Sequence, residues 1–155
     1  MSDEFEAASI QGDQIHRVVA DRLDAAGQRY TSGRRRIAEV LDAAGRPLTA
    51  AEILEEAALA QSSAYRNLAA LETCGVVRRV AGSDEFARYE LAEDLTEHHH
   101  HHLICTSCGA VADFTVADAL EAELESAMGV VEAATGFAAD HHRLDLLGRC
   151  AACRP

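Results

Sequence analysis

Five consecutive histidines, His98 to His102, run through Leu103-Ile104 into a Cys-x-x-Cys at Cys105 and Cys108, and a second Cys-x-x-Cys follows at Cys150 and Cys153. Two thiolate pairs can close a tetrahedral Zn(Cys)4 site, a structural arrangement that leaves no open coordination position. The histidines are then left for other work. Side chains along a strand alternate between faces. If this segment is extended, His98, His100 and His102 point one way and His99 and His101 the other, so one short strand can serve a metal site on each side. A purification tag would rarely sit in mid-chain against a Cys-x-x-Cys. The start, Met1-Ser2-Asp3-Glu4-Phe5-Glu6, is acidic and has no apolar core, so no secretory signal is expected. In the cytoplasmic setting this implies, paired Cys-x-x-Cys motifs read as zinc ligands rather than disulfides. Cys74, with no partner motif, sits between Leu71 and Val76 and reads as a small buried hydrophobe.

At 155 residues the chain has room for one ordinary domain or two small ones. No run approaches the ~20 apolar residues of a membrane span, so no membrane partner is expected. The formal net charge of -12 argues at first against nucleic acid. Distribution matters more than the total: between Gln28 and Arg36 stand Arg29, Arg34, Arg35 and Arg36, with no acid among them.

Residues 1–13 are acidic and weakly patterned, and are expected to be a loose N-terminus. From Gln14 to Ala26 the apolar spacing of Ile15, Val18, Val19 and Leu23 predicts an amphipathic helix stopped at Gly27. Thr31 or Ser32 can cap a second helix carrying Ile37, Val40 and Leu41, which Gly45 ends. Thr49 with Glu52 forms a capping box for a third helix over 50–59. Ser62 or Ser63 can cap a fourth over 64–74, closed by Gly75. The period then changes to two, and 76–80 and 86–91 predict two strands joined by a turn at 82–85. Helices followed by a hairpin make a winged helix-turn-helix, whose second motif helix would enter a major groove. Residues 92–97 are short and polar, a plausible hinge. Beyond it the His-Cys strand, a partner strand over 110–114, a helix of about five turns marked by Leu120, Leu124, Met128 and Val131, and a strand over 143–147 make a small three-stranded unit. So small a domain needs a structural zinc and a dimer partner to be stable. The expected fold class is therefore α+β: an N-terminal winged helix-turn-helix domain (1–91), a hinge (92–97), and a small C-terminal α/β dimerisation domain (98–155) with a structural Zn(Cys)4 site.

This combination resembles the ferric uptake regulator family of metal-dependent repressors over roughly residues 15–153. The most specific element is His-His-His-His-Leu-Ile-Cys-x-x-Cys-Gly, here 99–109; Tyr65-Arg66-Asn67-Leu68 after Ser63-Ala64 is similar to the family's recognition helix, and Arg29-Tyr30-Thr31 with Arg34-Arg35-Arg36 to its basic stretch. The resemblance implies three metal positions. Cys105, Cys108, Cys150 and Cys153 would hold the structural zinc; His99, His101, Glu121 and His142 would form a site within the dimerisation domain. His100 and His102 would form a hinge sensor site with a carboxylate, Glu90 by position, for which Asp84, Glu93 and Asp94 are rivals. His141 rivals His142, and Asp113 could be an edge charge or a neighbouring ligand. Iron- and peroxide-sensing members usually place a histidine just before the third helix, where this chain has Arg46-Pro47-Leu48; zinc-sensing members often place a cysteine a few residues before the histidines, and 92–97 contains none.

The implied function is a homodimeric, metal-dependent repressor of metal homeostasis genes, not an enzyme, acting in the cytoplasm on double-stranded DNA, with an AT-rich palindromic operator. Phosphates would be met by Arg29, Arg34, Arg35, Arg66 and Arg78, and bases by Ser62, Ser63 and Tyr65. Imidazole suits several metals. The motifs look most like the zinc uptake regulators of the family, so Zn(2+) is expected in both structural and regulatory roles, with Fe(2+), Ni(2+) or Mn(2+) as regulatory alternatives. Two readings from other classes remain. A zinc enzyme would need a catalytic base, and no His-Glu-x-x-His occurs; a zinc-ribbon interaction module without sensing would bind one zinc per chain. No small-molecule substrate is expected.

Overall fold

A computed structural model describes residues 2–96 and 99–155, with the side chains of 2–13 left out of account; Glu97 and His98, and with them the reading of His98 as a strand-face neighbour, lie outside the described residues. The first helix, α1 (Ser2–Ala25), begins well before the Gln14 where the apolar spacing starts. Ile15, Val19 and Leu23 are buried on one face, as the i, i+4 spacing requires. His16 is half-buried beside that stripe, with Nδ1 2.6 Å from the Tyr30 hydroxyl. Burial of Tyr30 pushes its pKa up to about 12.

Helix α2 (Ser32–Ala44) is capped by Thr31, whose hydroxyl accepts from the Arg34 amide, and ends at Gly45 in the left-handed conformation (φ +58°), which glycine adopts without steric cost. A two-residue strand, β1 (Leu48–Thr49), which the sequence did not suggest, leads into α3 (Ala50–Glu56). The Thr49–Glu52 capping box is complete in both directions, and the helix ends sooner than 59. Helix α4 (Gln61–Thr73) starts earlier than the serines implied: Ala60 is the cap residue, without a side-chain bond, and Ser62 and Ser63 lie exposed in the first turn. Strands β2 (Val77–Val80) and β3 (Arg88–Leu91) form the hairpin, and β1 pairs with β3 to give the order β1-β3-β2, all antiparallel. Ile37, Ile53, Leu68, Leu71 and Val76 meet Val19 and Leu23 in one core. This is a winged helix-turn-helix, and Cys74 packs half-buried against its core.

The polar segment after β3 is one turn of helix, α5 (Glu93–Thr96), rather than a simple hinge. Leu95 is buried in the winged-helix core, Arg22 of α1 pairs with Asp94, and Arg78 of β2 donates to Glu93 (2.9 Å). The second unit has β4 (His101–Cys105) at the centre of the order β5-β4-β6, antiparallel to β5 (Val111–Phe114) and parallel to β6 (Asp145–Gly148). Helix α6 (Asp118–Thr135) crosses between β5 and β6, and a short 3-10 turn (Ala151–Cys153) carries the last cysteine. Buried Ile104 and Val111 share a small cluster with Val80 of β2, so the wing sheet helps to close this second core. The wing turn also leans on the cysteine loop: Ser83 donates to the Cys105 carbonyl (2.6 Å), and a Cβ at Gly109 (φ +76°) would collide with the Asp84 carboxylate.

Thr49→Ala removes the cap hydroxyl of α3 and is expected to lower stability by ~1 kcal/mol, whereas Ile53→Ala, in the core, is expected to cost about 2–5 kcal/mol. Chemical denaturation at constant metal content reads both; a Thr49→Ala variant as stable as the parent would show that the box contributes nothing.

Candidate metal centres

Four thiols converge at the end of β4 and the 3-10 turn. Cys105 and Cys108 lie on the tight turn after β4, which Gly109 completes, and β6, parallel to β4, delivers Cys150 beside them. The four Sγ atoms lie within 4.8 Å of one another, all free of disulfides. Cys108 Sγ is 3.8 Å from Cys150 Sγ, the edge of a tetrahedron built on zinc–sulfur bonds of ~2.3 Å. Backbone amides of Cys150, Cys108 and Ser107 hold the Cys105 thiol down at about 6, while the neighbouring Cys150 and Cys108 sulfurs push Cys153 up to about 12. Four thiolates at this distance repel one another, and a dication at their centre removes that repulsion. The donor set fits zinc.

The histidines divide between two faces as strand alternation requires, although the ladder begins only at His101. On one face His99, His101 and His142 meet Glu121 from the first turn of α6, with all donor atoms within 4.8 Å. His99 Nε2 and His142 Nε2 are 3.2 Å apart, and they stand 2.9 and 2.7 Å from Glu121 Oε1; His101 Nε2 is 3.1 Å from Glu121 Oε2. Glu121 Oε1 is nonetheless buried without a hydrogen bond of proper alignment, as is His101 Nδ1. Nitrogens crowded on an oxygen that hydrogen bonding leaves unpaired are what a shared cation resolves. Burial opposes the Glu121 charge, but the hydrogen bond from His101 and the three surrounding imidazoles keep its pKa below the usual range. His142, not the exposed His141, enters this cluster.

On the other face Glu90, His100, His102 and Asp113 gather within the same span. Glu90 Oε2 is 3.0 Å from His100 Nε2 and 3.1 Å from His102 Nε2. Burial would raise the Glu90 pKa; hydrogen bonds from His100 and His102 and the charge of Arg78 hold it well below the usual carboxylate range. Asp113, by contrast, is raised by burial, and its Oδ1 is orphaned 3.8 Å from His102 Nε2. A cation between these groups would pair that oxygen too. Of the carboxylates that rivalled Glu90, Asp84 is engaged by Arg88 (2.6 and 2.8 Å), Asp94 by Arg22, and Glu93 by Arg78 and His99. Asp113, which sequence reasoning left undecided, faces His102 directly across the β4–β5 ladder. Asp145 is the in-register partner of His102 on β6, with Oδ1 3.5 Å from His102 Nδ1, behind the cluster. Cross-strand register carried both signals, and register cannot be read from one strand at a time.

The basic surface lies on the winged helix. Ser62, Ser63, Tyr65 and Arg66 are all exposed on the first turns of α4, Tyr65 at 48%. Arg29 and Arg35 are exposed, Arg35 pairing with Glu39 (3.0 Å). Arg34 differs: it is half-buried and donates to the Arg29 carbonyl (2.6 Å) and to Gln28 (2.9 Å), bracing the turn before α2. Arg78 does not face outward as a phosphate contact would, since Glu90 and Glu93 hold it against the metal clusters.

Comparison with known proteins agrees with this geometry. The model of the ferric uptake regulator family matches residues 25–147. The chain is 28% identical over 90 residues to the peroxide-responsive repressor PerR of Staphylococcus epidermidis, a match covering 58% of this chain and 54% of that protein. The chain thus spans about half the length of the curated relatives it matches. Among solved structures, the Vibrio cholerae ferric uptake regulator is 28% identical, with a TM-score of 0.63 over 83% of this chain and 96% of that one. The manganese-containing ferric uptake regulator of Pseudomonas aeruginosa is also 28% identical, with a TM-score of 0.65 over 84% of this chain and 96% of its own.

Removing one sulfur tests the first centre. Cys153→Ser is expected to cost one zinc per chain by elemental analysis and to lower the thermal stability of the protein, while His142→Ala leaves that zinc in place. Full zinc retention in Cys153→Ser would exclude the four-sulfur assignment.

Proposed function

The chain belongs to the ferric uptake regulator family, and on that premise we propose that it is a homodimeric, zinc-responsive transcriptional repressor working in the cytoplasm. The observation that carries the reading is the Glu90, His100, His102 and Asp113 cluster, because it draws donors from both units: Glu90 stands on β3 of the winged helix, the other three on and before the second sheet. A metal bound there restricts the angle between a winged-helix domain over 1–91 and a dimerisation domain over 98–155, with 92–97 between them. Without metal the dimer samples several angles; with metal the population shifts to the one that fits two operator half-sites.

The metal reading rests on donor count and type. Each histidine cluster offers four donors, three imidazoles with one carboxylate and two imidazoles with two, and four-coordinate sets of imidazole and carboxylate suit zinc. His99, His101, Glu121 and His142 would hold a second zinc within the dimerisation domain, and Cys105, Cys108, Cys150 and Cys153 the structural one. Where iron- and peroxide-sensing relatives usually supply a further histidine, this chain has Arg46, which pairs with Glu52 (2.8 Å). Exposed apolar residues of the second unit also support a dimer: Leu103, Val130, Val131, Phe137, Leu146 and Leu147 lie open in a single chain, surface of the kind that a second copy would cover. No described helix is long and apolar enough to cross a membrane.

On DNA, Arg29, Arg35 and Arg66 would meet phosphates, Arg34 would stiffen the turn that presents them, and Ser62, Ser63 and Tyr65 would read bases from the start of α4. Fluorescence anisotropy with a palindromic AT-rich operator probe, in buffered free zinc and in parallel with iron(II), nickel(II) and manganese(II), tests the function. Tight binding is expected only as free zinc rises, with more than one zinc per chain. Binding with another metal alone would keep the family and overturn the zinc reading; one zinc per chain and no metal-dependent binding would leave a structural zinc module. Arg66→Ala is expected to weaken operator binding at least tenfold and to flatten its salt dependence by about one phosphate contact, with zinc content unchanged.

A further inference from the structure

We infer that Arg78 is a positioning residue that couples the two histidine clusters, so that metal at one raises the affinity of the other; this rests on both clusters taking metal, as proposed above. Arg78 stands on β2, the edge strand of the order β1-β3-β2, and is in none of the donor clusters. Its guanidinium forks: Nε donates to Glu90 Oε1, and Nη2 donates to Glu93 Oε1 at 2.9 Å. The far oxygen of each carboxylate faces a different cluster. Glu90 Oε2 lies 3.0 and 3.1 Å from His100 and His102. Glu93 Oε2 lies 3.1 Å from Nδ1 of His99, whose Nε2 points at Glu121 Oε1, 2.9 Å away, in the other cluster. A continuous path therefore runs from one centre to the other through Glu90, Arg78, Glu93 and His99. The side chains of Glu90, Glu93, Arg78 and His99 are 7%, 20%, 27% and 33% exposed, so bulk water screens the path only in part.

The path has a chemical consequence at each end. A carboxylate behind a ligating imidazole fixes its tautomer and raises its basicity. Glu93 on His99 Nδ1 keeps the proton there and leaves the Nε2 lone pair for the cluster. Arg78 on Glu90 Oε1 leaves Oε2 free to ligate. The rigid guanidinium fork ties these two settings together. Metal on Glu90 immobilises the carboxylate and hence the fork. Glu93 is then held in place, and His99 is oriented before its own metal arrives. The second ion meets a site whose ordering cost has been met, which is positive cooperativity without a large movement.

The test is a thermodynamic cycle on the full-length protein with its cysteine centre loaded, using zinc alone as the probe. Competition with a chelating indicator gives the affinities, and the NMR signal of the His102 ring reports occupancy of the hinge cluster. In the parent protein His142→Ala, which disables the other cluster, is expected to weaken zinc binding at His102 by about fivefold or more. In an Arg78→Gln or Glu93→Gln background, His142→Ala is expected to leave His102 occupancy unchanged. Arg78→Lys, which keeps the charge without the fork, is expected to lose the coupling as well. A merely structural role for Arg78 would shift all affinities together and leave the His142→Ala effect intact, which would overturn the inference. So would the absence of any His142→Ala effect in the parent protein. If the parent takes up no zinc beyond the cysteine centre, the sensing reading itself fails, a result that the elemental count separates from loss of coupling.

Discussion

Two adjacent imidazoles buried in one strand govern how this molecule is put together. His101 and His102 are 2% and 3% exposed, yet they point to opposite faces of β4. A buried polar group without a partner costs ~1–3 kcal/mol, so each face must supply an acceptor. Glu121 answers on one side from α6; on the other, Glu90 reaches over from the winged helix, and Asp113 and Asp145 flank it from the neighbouring strands. The position of α6 and the approach of the wing sheet to β4 are therefore both tied to this strand. The joint between the two units is consequently polar and titratable rather than apolar. Among the described residues, Val80, Ile104 and Val111 form the buried apolar cluster there. A joint held by carboxylates and imidazoles responds to a cation far more than one held by packing.

Local chemistry was legible in the sequence, and pairing between distant segments was not. The Thr31 cap, the Thr49–Glu52 box, the Gly45 stop and the division of the histidines between faces each depend on residues a few positions apart, where backbone geometry dictates the outcome. The resemblance to the family supplied Glu90, Glu121 and His142 where spacing could not. Asp113 and Asp145 escaped because they matter only through their register with His102. A basic residue on a wing strand suits a phosphate contact, but two carboxylates distant in sequence outcompete solvent for Arg78. The first turn of α4 was placed late because serines make good caps, whereas the chain uses Ala60 and leaves both hydroxyls exposed.

The distribution of charge reconciles an acidic protein with a DNA-binding fold. The net charge of -12 is a property of the whole chain, while the surface offered by α2 and the start of α4 carries Arg29, Arg35 and Arg66 outward. A cluster of the acids, Glu90, Glu93, Asp113, Glu121 and Asp145, is gathered around the histidines instead. Under the proposed function, cations bound there would neutralise charge near the joint, so metal loading would reduce the long-range repulsion of a phosphate backbone as well as restrict the angle between units.

Helix α6 supplies the last constraint. It is 18 residues long and none of them is buried, although Leu120, Met128, Val130 and Val131 are apolar and exposed. Most helical stability in proteins comes from packing of an apolar face, so such a helix needs cover from outside the chain. The strand face beside it is in the same condition, with Leu103 and Leu146 paired in register and about half exposed. Glu121 sits in the first turn of this helix. Whatever covers α6 therefore also fixes a donor of the His99 cluster, and through His99 and Glu93 it reaches the arginine that holds Glu90. In the proposed dimer, association and metal binding would be linked by one helix: an ion at Glu121 would order its first turn, and the ordered helix would present the apolar face that a second copy would bury.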